Sequence, residues 1–396
     1  MLARVGPLRR RWRPPAACAV VLVVAWALRA ALPGPGAAVA GSAAPDTIRI
    51  ALVDRARGVE LRGTDIAVAP GPAGACAGPC ESWRTDAVRG GVAGDGIELD
   101  GRHAASFRLQ SDSPIRLNGR EYQSPIDLVR NGDGLAVVNE VPLEEYVVGV
   151  LRAETFERFP MEALRAQAIA ARTYAAYHRL LGEGKPFHII ASTAHQQFFG
   201  RVPPGSPMWD AVSATAGQVL RWEGEVFPAF YHADSGGFTE EPRNVFTSSN
   251  MPALKSIRCE FSTTSPHFYW NLDVKLAEMG DLLRRQGLDV GTVRAVEVAE
   301  RTPSLRAITV SVRGSRGIVR LRGNDFRRMI GYDTLKSTLF AVAVDRGIAH
   351  FTGRGYGHGV GMCQWGAKGM AEQGYTAAQI VSFYYPGAVL GTLAAP

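Results

Sequence analysis

Between Thr47 and Asn139, apolar and polar residues alternate in short runs, IRIALV, IELDG, SFRLQS, IRLNG and GLAVVN, separated by Gly, Asn and Asp. Period-two alternation broken by turn residues predicts an antiparallel β subdomain. The Gly- and Pro-rich stretch AVAPGPAGACAGPC, residues 67–80, interrupts it as a loop or inserted arm. From residue 141 the period changes. Leu143, Val147, Val150 and Leu151 follow Pro142 at three- and four-residue steps, which predicts a helix. A second helix is expected after Pro160, from Met161 to about Leu181, where seven alanines between Ala163 and Ala176 give helix propensity with little bulk. A further helix and strands, including AITVSVRG and GIVRLRG, follow between Asp273 and about Leu321. The pattern is that of an α+β protein whose antiparallel β subdomains flank a central two-helix unit. It divides into a leader (1–40), a β subdomain (41–134), a first core half with both helices (135–270), a β-rich insertion (271–325) and a second core half (326–396).

One residue in the first helix is out of place. Glu154 lies four residues past Val150 and seven past Val147, on the apolar stripe, and at a helix end whose dipole disfavours negative charge. Glu144 and Glu145 stand in the favoured first turn. A carboxyl group in an apolar wall has its charged form destabilised and its pKa raised, which is how a general acid is made. The alternative is a glutamate turned to solvent at a frayed end. On the second helix Arg165, Arg172 and Arg179 share one side at seven-residue spacing, in reach of Glu154 or of an anionic ligand; Arg172, between Ala171 and Thr173-Tyr174, is expected to be partly buried.

Further along, Thr193-Ala194-His195 and His232-Ala233-Asp234-Ser235-Gly236-Gly237 invite a serine-hydrolase reading, with Ser235, Asp234 and either histidine. Only about 40 residues separate the two segments, and no G-x-S-x-G elbow occurs. The aromatic run His267, Phe268, Tyr269 and Trp270 suits either stacking on sugar rings or a core cluster. In GRGYGHGVGMCQWGAKGMAEQGY, residues 353–375, glycines at 353, 355, 357, 359 and 361 permit positive φ and close approach, so the loop can line a ligand groove with N–H groups. It lacks the Lys-Ser/Thr of a P-loop. His358, between two glycines, either projects into a cleft or bonds a loop carbonyl.

Composition changes the picture at one end only. The net charge of +7 suggests nucleic acid, but residues 1–40 hold six arginines and no acid; without them 38 basic residues face 37 acidic ones. Nucleic acid is not an expected partner. The leader has an arginine-rich front, an apolar run from Ala16 to Leu28 and Ala38-Val39-Ala40 before Gly41, the parts of a secretory signal. Thirteen apolar residues fall short of the roughly 20 that span a bilayer, so cleavage is preferred to a retained anchor, the one expected membrane contact. The body is then exported, to the periplasm or the cell wall. Cys76, Cys80, Cys259 and Cys363 remain, an even set in an oxidising compartment. Cys76 with Cys80 and Cys259 with Cys363 are the preferred pairs, and zinc at CAGPC is disfavoured because no second Cys or His pair lies near.

Five blocks, VPLEEYVVGVLRAE, EALRAQAIAARTYA, YHADSGGFTE, FRRMIGYDTLKSTLF and GRGYGHGVGMCQWGAKGMAEQGYTAAQIVSFYYPG, resemble in order the signature blocks of the SpoIID/LytB family, from about Leu135 to Leu390. The resemblance implies action on bacterial cell-wall glycan. In that family the stage II sporulation protein D is a lytic transglycosylase cutting strands stripped of stem peptides, and LytB is an enhancer of a wall amidase. Glu154 falls on the family's catalytic glutamate. Arg172, Lys255, Tyr231, Ser235, Tyr356, His358, Gln364 and Trp365 are the candidates for holding glycan in a groove lined by the Gly-rich loop. No metal or other cofactor is implied. The partners implied are peptidoglycan strands and a cell-wall amidase. This chain departs from the family in three places. The block with His195 lacks the cysteines some members place there, so no zinc is expected. Glu154-Thr155-Phe156 replaces the common E-M-P, and Cys363 stands where serine is usual.

Overall fold

The computed structural model describes residues 46–71, 81–246 and 251–393. The leader, Cys76 and Cys80 lie outside the described residues. The chain is a mixed α and β fold, and its first layer is one 11-stranded sheet. Ten of its strands come from Thr47–Ala56 through Gly134–Pro142, and the last is Ile189–Ile190. Every pairing in it is antiparallel except that of Ile189–Ile190 with Thr47–Ala56. Alternation along the strands gives the sheet a buried face with Ile48, Ile50, Leu61, Ile66, Val68, Leu109 and Leu128 at 0% exposure. Two of its hairpins close on Asp100-Gly101 and Asn118-Gly119, with both residues of each turn at positive φ. That is the type I′ geometry that asparagine or aspartate followed by glycine tolerates.

The strand Gly134–Pro142 runs straight into helix α1, Leu143–Glu154. Pro142, with φ of −53°, sets the entry, and Glu144 and Glu145 fill the first turn where the dipole favours them. Seven of its twelve residues are buried. Helix α2, Met161–Leu181, is enclosed by α1, by α3 (Pro207–Ser213) and, after the short α4 (Pro242–Val245), by two C-terminal helices. Its alanines allow this, because small side chains let neighbours approach on several sides.

A second hydrophobic cluster lies between Trp270 and Phe351. Two three-stranded sheets build it, Trp270–Lys275 with Ile348–Gly353 and Phe340–Asp345, and Val293–Arg301 with Ala307–Gly314 and Ile318–Arg322. Helices α5 (Leu276–Arg285) and α6 (Gly323–Ile330) cover them. The chain then returns to the first cluster through the Gly-rich loop, α7 (Gln364–Glu372) and α8 (Ala377–Tyr384), both packed on α2. Among the described residues no helix is long and apolar enough to cross a membrane.

The aromatic run at 265–270 belongs mostly to this framework rather than to a sugar surface. Phe268 and Trp270 are buried, and the Trp270 indole lies over Gly353 and donates Nε1–H to the Gly355 carbonyl at 2.8 Å. Only Tyr269 stands out, at 72% exposure.

Cys259 and Cys363 are free, buried thiols, not a disulfide. Their sulfurs have other partners. Cys259 Sγ is 3.1 Å from the Tyr384 hydroxyl. Cys363 Sγ accepts the Ser235 and Gly366 amides, each at 3.2 Å, and so acts as the N-cap of α7. That is a task serine also performs, and it gives the serine-to-cysteine departure a structural meaning.

Candidate active site

Glu154 is the last residue of α1. Tyr146, Val150 and Glu154 recur at four-residue steps, so the carboxyl shares the face of a buried phenol. At Thr155 the backbone turns extended and the hydroxyl folds back onto the Leu151 carbonyl at 2.7 Å, ending the helix beneath the carboxyl group. Glu154 is half-buried and its acid end is turned inward, where Oε1 accepts the Gln197 backbone amide at 2.7 Å. Burial pushes its pKa up to about 7, against the opposing pull of that amide. No charged side chain contributes to the shift, so the acid stands alone.

The segment that reaches it is anchored one residue on. A Cβ at Gly149 would lie 2.3 Å from the Phe198 ring, so the absence of a side chain there lets Phe198 lie flush against α1 and brings Gln197 to the carboxyl. Gln196, 1% exposed, extends the arrangement. It accepts the Tyr146 hydroxyl at 3.0 Å and donates to the Tyr231 hydroxyl at 3.0 Å and the Ala171 carbonyl at 3.3 Å. Burial first raises the pKa values of Tyr146, Tyr174 and Tyr231; the next cause is Tyr174 for Tyr146, Tyr177 for Tyr174 and the Glu154 charge for Tyr231, and Glu154 adds to the first two as well. These phenols therefore stay protonated and remain donors beside the acid.

Of the residues expected to bind substrate, Tyr231 is in this shell. Trp365 approaches it through Phe159, at 5.4 Å between centroids, and Phe156, at 6.4 Å. Gln364 opens α7 and donates to Gln167 of α2 at 3.4 Å. His358 packs against Phe230 and Phe246, with centroids 5.9 and 5.4 Å away, and Phe230 in turn meets Tyr174 at 5.6 Å. His358 Nδ1 accepts the Val360 amide at 3.0 Å, which leaves the proton on Nε2. Burial, then the Arg327 and Arg306 charges, pushes its pKa down to about 3, so the ring is a neutral donor. Tyr356 is half-buried and donates its hydroxyl to Asp333 at 2.6 Å. Lys255 is exposed, and its carbonyl accepts the Thr239 hydroxyl at 3.3 Å.

Two expectations fail here. Arg172 is 0% exposed and far too enclosed to meet a ligand. Its guanidinium binds Glu144 from Nε at 2.9 Å and the Gln218 carbonyl from Nη1 at 3.1 Å, tying α1, α2 and the strand at 218 together. Arg165 pairs with Glu162 and Arg179 with Asp46, so none of the row reaches Glu154. Ser235 is likewise 0% exposed. Its hydroxyl accepts the Gly237 amide at 3.3 Å, Asp234 binds the Gly236 amide, and His232 bonds the Val360 carbonyl. His195 Nδ1 takes the Ile190 amide. No histidine touches Ser235 among the described residues, and the serine-hydrolase arrangement does not exist.

The Gly-rich loop differs in part. Glycines 355, 357, 359 and 361 have positive φ, whereas Gly353 ends a strand. The amides at 355, 356, 357, 360 and 362 are bonded to protein acceptors, so these five do not face a ligand. Sequence reasoning missed Gln196, Gln197, Tyr146 and Tyr174. Tyr146 was available from its place two four-residue steps before Glu154, through Val150; the others are set by the tertiary fold.

The molecule is thus a mixed α and β protein in which a half-buried carboxyl, with no charged side chain contributing to its shift, is set among phenols and amides. A family model described as "Stage II sporulation protein" matches residues 131–222, the segment carrying both central helices and the Gln197 loop. A second, a domain of unknown function, matches residues 232–361. The chain is 32% identical over 311 residues to "Stage II sporulation protein D" of Bacillus subtilis (strain 168), covering 74% of this chain and 86% of that protein. It is 33% identical over 281 residues to an uncharacterized protein of Brachyspira hyodysenteriae, covering 70% and 74%. Similarity to the "Amidase enhancer" of B. subtilis is 29% over 290 residues, covering 61% and 40%. The chain belongs to the SpoIID/LytB family.

Proposed function

We propose that the chain acts on the bacterial cell wall as a peptidoglycan lytic transglycosylase, exported to the periplasm or wall. The observation that carries this reading is the single carboxyl of Glu154, raised by burial to about 7, with no second acid acting on it. Glycosidases that use water or a covalent intermediate need two carboxylates roughly 5–9.5 Å apart. A glycan that supplies its own nucleophile needs one.

Protonated Glu154 gives its proton to the oxygen joining N-acetylmuramic acid to N-acetylglucosamine. As the C1–O bond breaks, the muramyl C6 hydroxyl attacks C1. The Glu154 carboxylate takes the hydroxyl proton and is restored to its starting form, and the product ends in a 1,6-anhydro ring. The Gln197 amide steadies the carboxylate stage. The protonated phenol of Tyr231 and the neutral His358 are donors for the sugar. General acid–base catalysis supplies about 10²–10⁴-fold, and groove binding and electrostatic stabilisation supply the rest.

The test is digestion of peptidoglycan, intact and amidase-stripped, by the protein and by Glu154→Gln, with ends identified by mass spectrometry. Anhydromuramyl ends are expected from the wild type alone. The similarity to an amidase enhancer supports a second reading, a wall-binding protein that stimulates an amidase. Absence of anhydro ends, with amidase stimulation equal in both proteins, would favour that reading instead.

A further inference from the structure

Just beyond Glu154 the chain carries an aromatic ring whose position the packing of the fold does not require. Phe156 is 49% exposed, although its neighbours Phe159 and Trp365 are only 6% and 8% exposed. The three rings form one cluster. Phe159 meets Trp365 edge-on at 5.4 Å, and Phe156 lies 5.6 Å from Phe159 and 6.4 Å from Trp365. Two buried rings therefore back one open ring. The helix end makes this arrangement: Thr155 is extended and turns its own hydroxyl back to Leu151, so the chain leaves α1 there and carries Phe156 away from it. The Arg158 guanidinium stands 4.9 Å from the Phe156 centroid and Lys368 Nζ 5.5 Å from that of Trp365.

A lone exposed apolar side chain is ordinary on a protein surface. This one differs in three respects: it lies two residues from the acid, it is packed against the buried rings of Phe159 and Trp365, and it stays 49% exposed with the Arg158 guanidinium beside its ring. A phenyl face is electron-rich and flat. The C–H face of a pyranose is apolar, with hydrogens that carry slight positive charge, and it can lie on such a ring without losing the hydroxyl contacts at its rim.

We propose that Phe156, backed by Phe159 and Trp365, is a ring-stacking subsite for a sugar of the glycan chain next to the bond at Glu154. The proposal rests on the glycan reading above and adds the residue that orients the strand. It also gives a purpose to the replacement of the family's Met-Pro by Thr155-Phe156.

The test is calorimetric titration of the chain with N-acetylglucosamine–N-acetylmuramic acid oligosaccharides from amidase-stripped peptidoglycan. Glu154→Gln serves as the parent, so that binding is read without turnover. Phe156→Ala should weaken affinity about tenfold, Phe156→Leu nearly as much because it restores bulk without a ring, and Phe156→Tyr by no more than about twofold. Thermal unfolding of all four should coincide, since the side chain is half in solvent. Equal affinities for parent and Phe156→Ala would overturn the subsite while leaving glycan binding intact. A parent that binds no oligosaccharide would overturn the subsite and the glycan reading together. Loss of anhydro products from the wild type, with the Phe156 effect preserved, would strike only the catalytic reading.

Discussion

Glu154 owes its chemistry to where a helix stops. Its carboxyl is withdrawn from water and given one amide partner, and burial outweighs that partner, leaving the pKa near 7. The acid step needs the proton, so kcat/KM on amidase-stripped glycan should be level below about pH 6 and fall tenfold per pH unit above about 7. A pH–rate profile checks this. The same shift has a cost in stability. A carboxyl whose pKa is higher folded than unfolded destabilises the fold once ionised. The cost is absent below pH 4.5, grows from there to about 7 and is constant above. Glu154→Gln, whose side-chain oxygen can still accept the Gln197 amide, should therefore be more stable than wild type at pH 8 by on the order of 2 kcal/mol. The two should match near pH 4, as read by urea unfolding. At the other end of the site, Cys363 caps α7 through sulfur. Cys363→Ser should unfold at nearly the wild-type temperature, and Cys363→Ala should lose about 1 kcal/mol.

Among the elements, α2 is the one on which the others are assembled, and Arg172 is its main polar tie. Removing it leaves the Gln218 carbonyl without its guanidinium partner, inside a helix interface with no exposed part of residue 172. Arg172→Met should cost about 2–4 kcal/mol in urea unfolding, discounted for the partial exposure of Glu144, while glycan affinity of the folded protein stays unchanged. A substrate-binding arginine would show the reverse. This element also shows what the sequence could reveal. The change of period at residue 141, with Pro142 and Pro160 as openings, marks both helices, and the stripe through Val147 and Val150 singles out Glu154. The same helical pattern cannot say which neighbour a long side chain meets. Arg172 was expected at a ligand because its partner, Glu144, lies 28 residues away on another helix. Gln197 was invisible for the same reason: its contact with Glu154 spans 43 residues and depends on the missing side chain of Gly149. The loop glycines announced positive φ, but not that the amides of Gly355 and Gly357 would be spent on the protein itself.

At the scale of the whole molecule, the second hydrophobic cluster acts as a buttress for the loop beside the site. Trp270 bonds the Gly355 carbonyl, and Arg306, 1% exposed, donates to the Ser235 carbonyl at 2.8 Å. Gly359, at φ +89°, rests against that guanidinium, where a Cβ would come within 2.6 Å. Gly359→Ala should lower stability by about 2 kcal/mol and reduce turnover through a displaced His358, seen as a lower melting temperature and a smaller kcat. The carboxyl and this loop reach the same region from opposite ends of the chain, which is why the acid is in the first third of the described sequence and the loop in the last. The central claim is that one carboxyl suffices because the glycan supplies the nucleophile. Digestion of amidase-stripped glycan in water enriched in oxygen-18 tests it most directly. The account predicts muramyl ends lacking one water and carrying no label. Reducing ends bearing the heavy oxygen would mean that water attacks C1, and would contradict it.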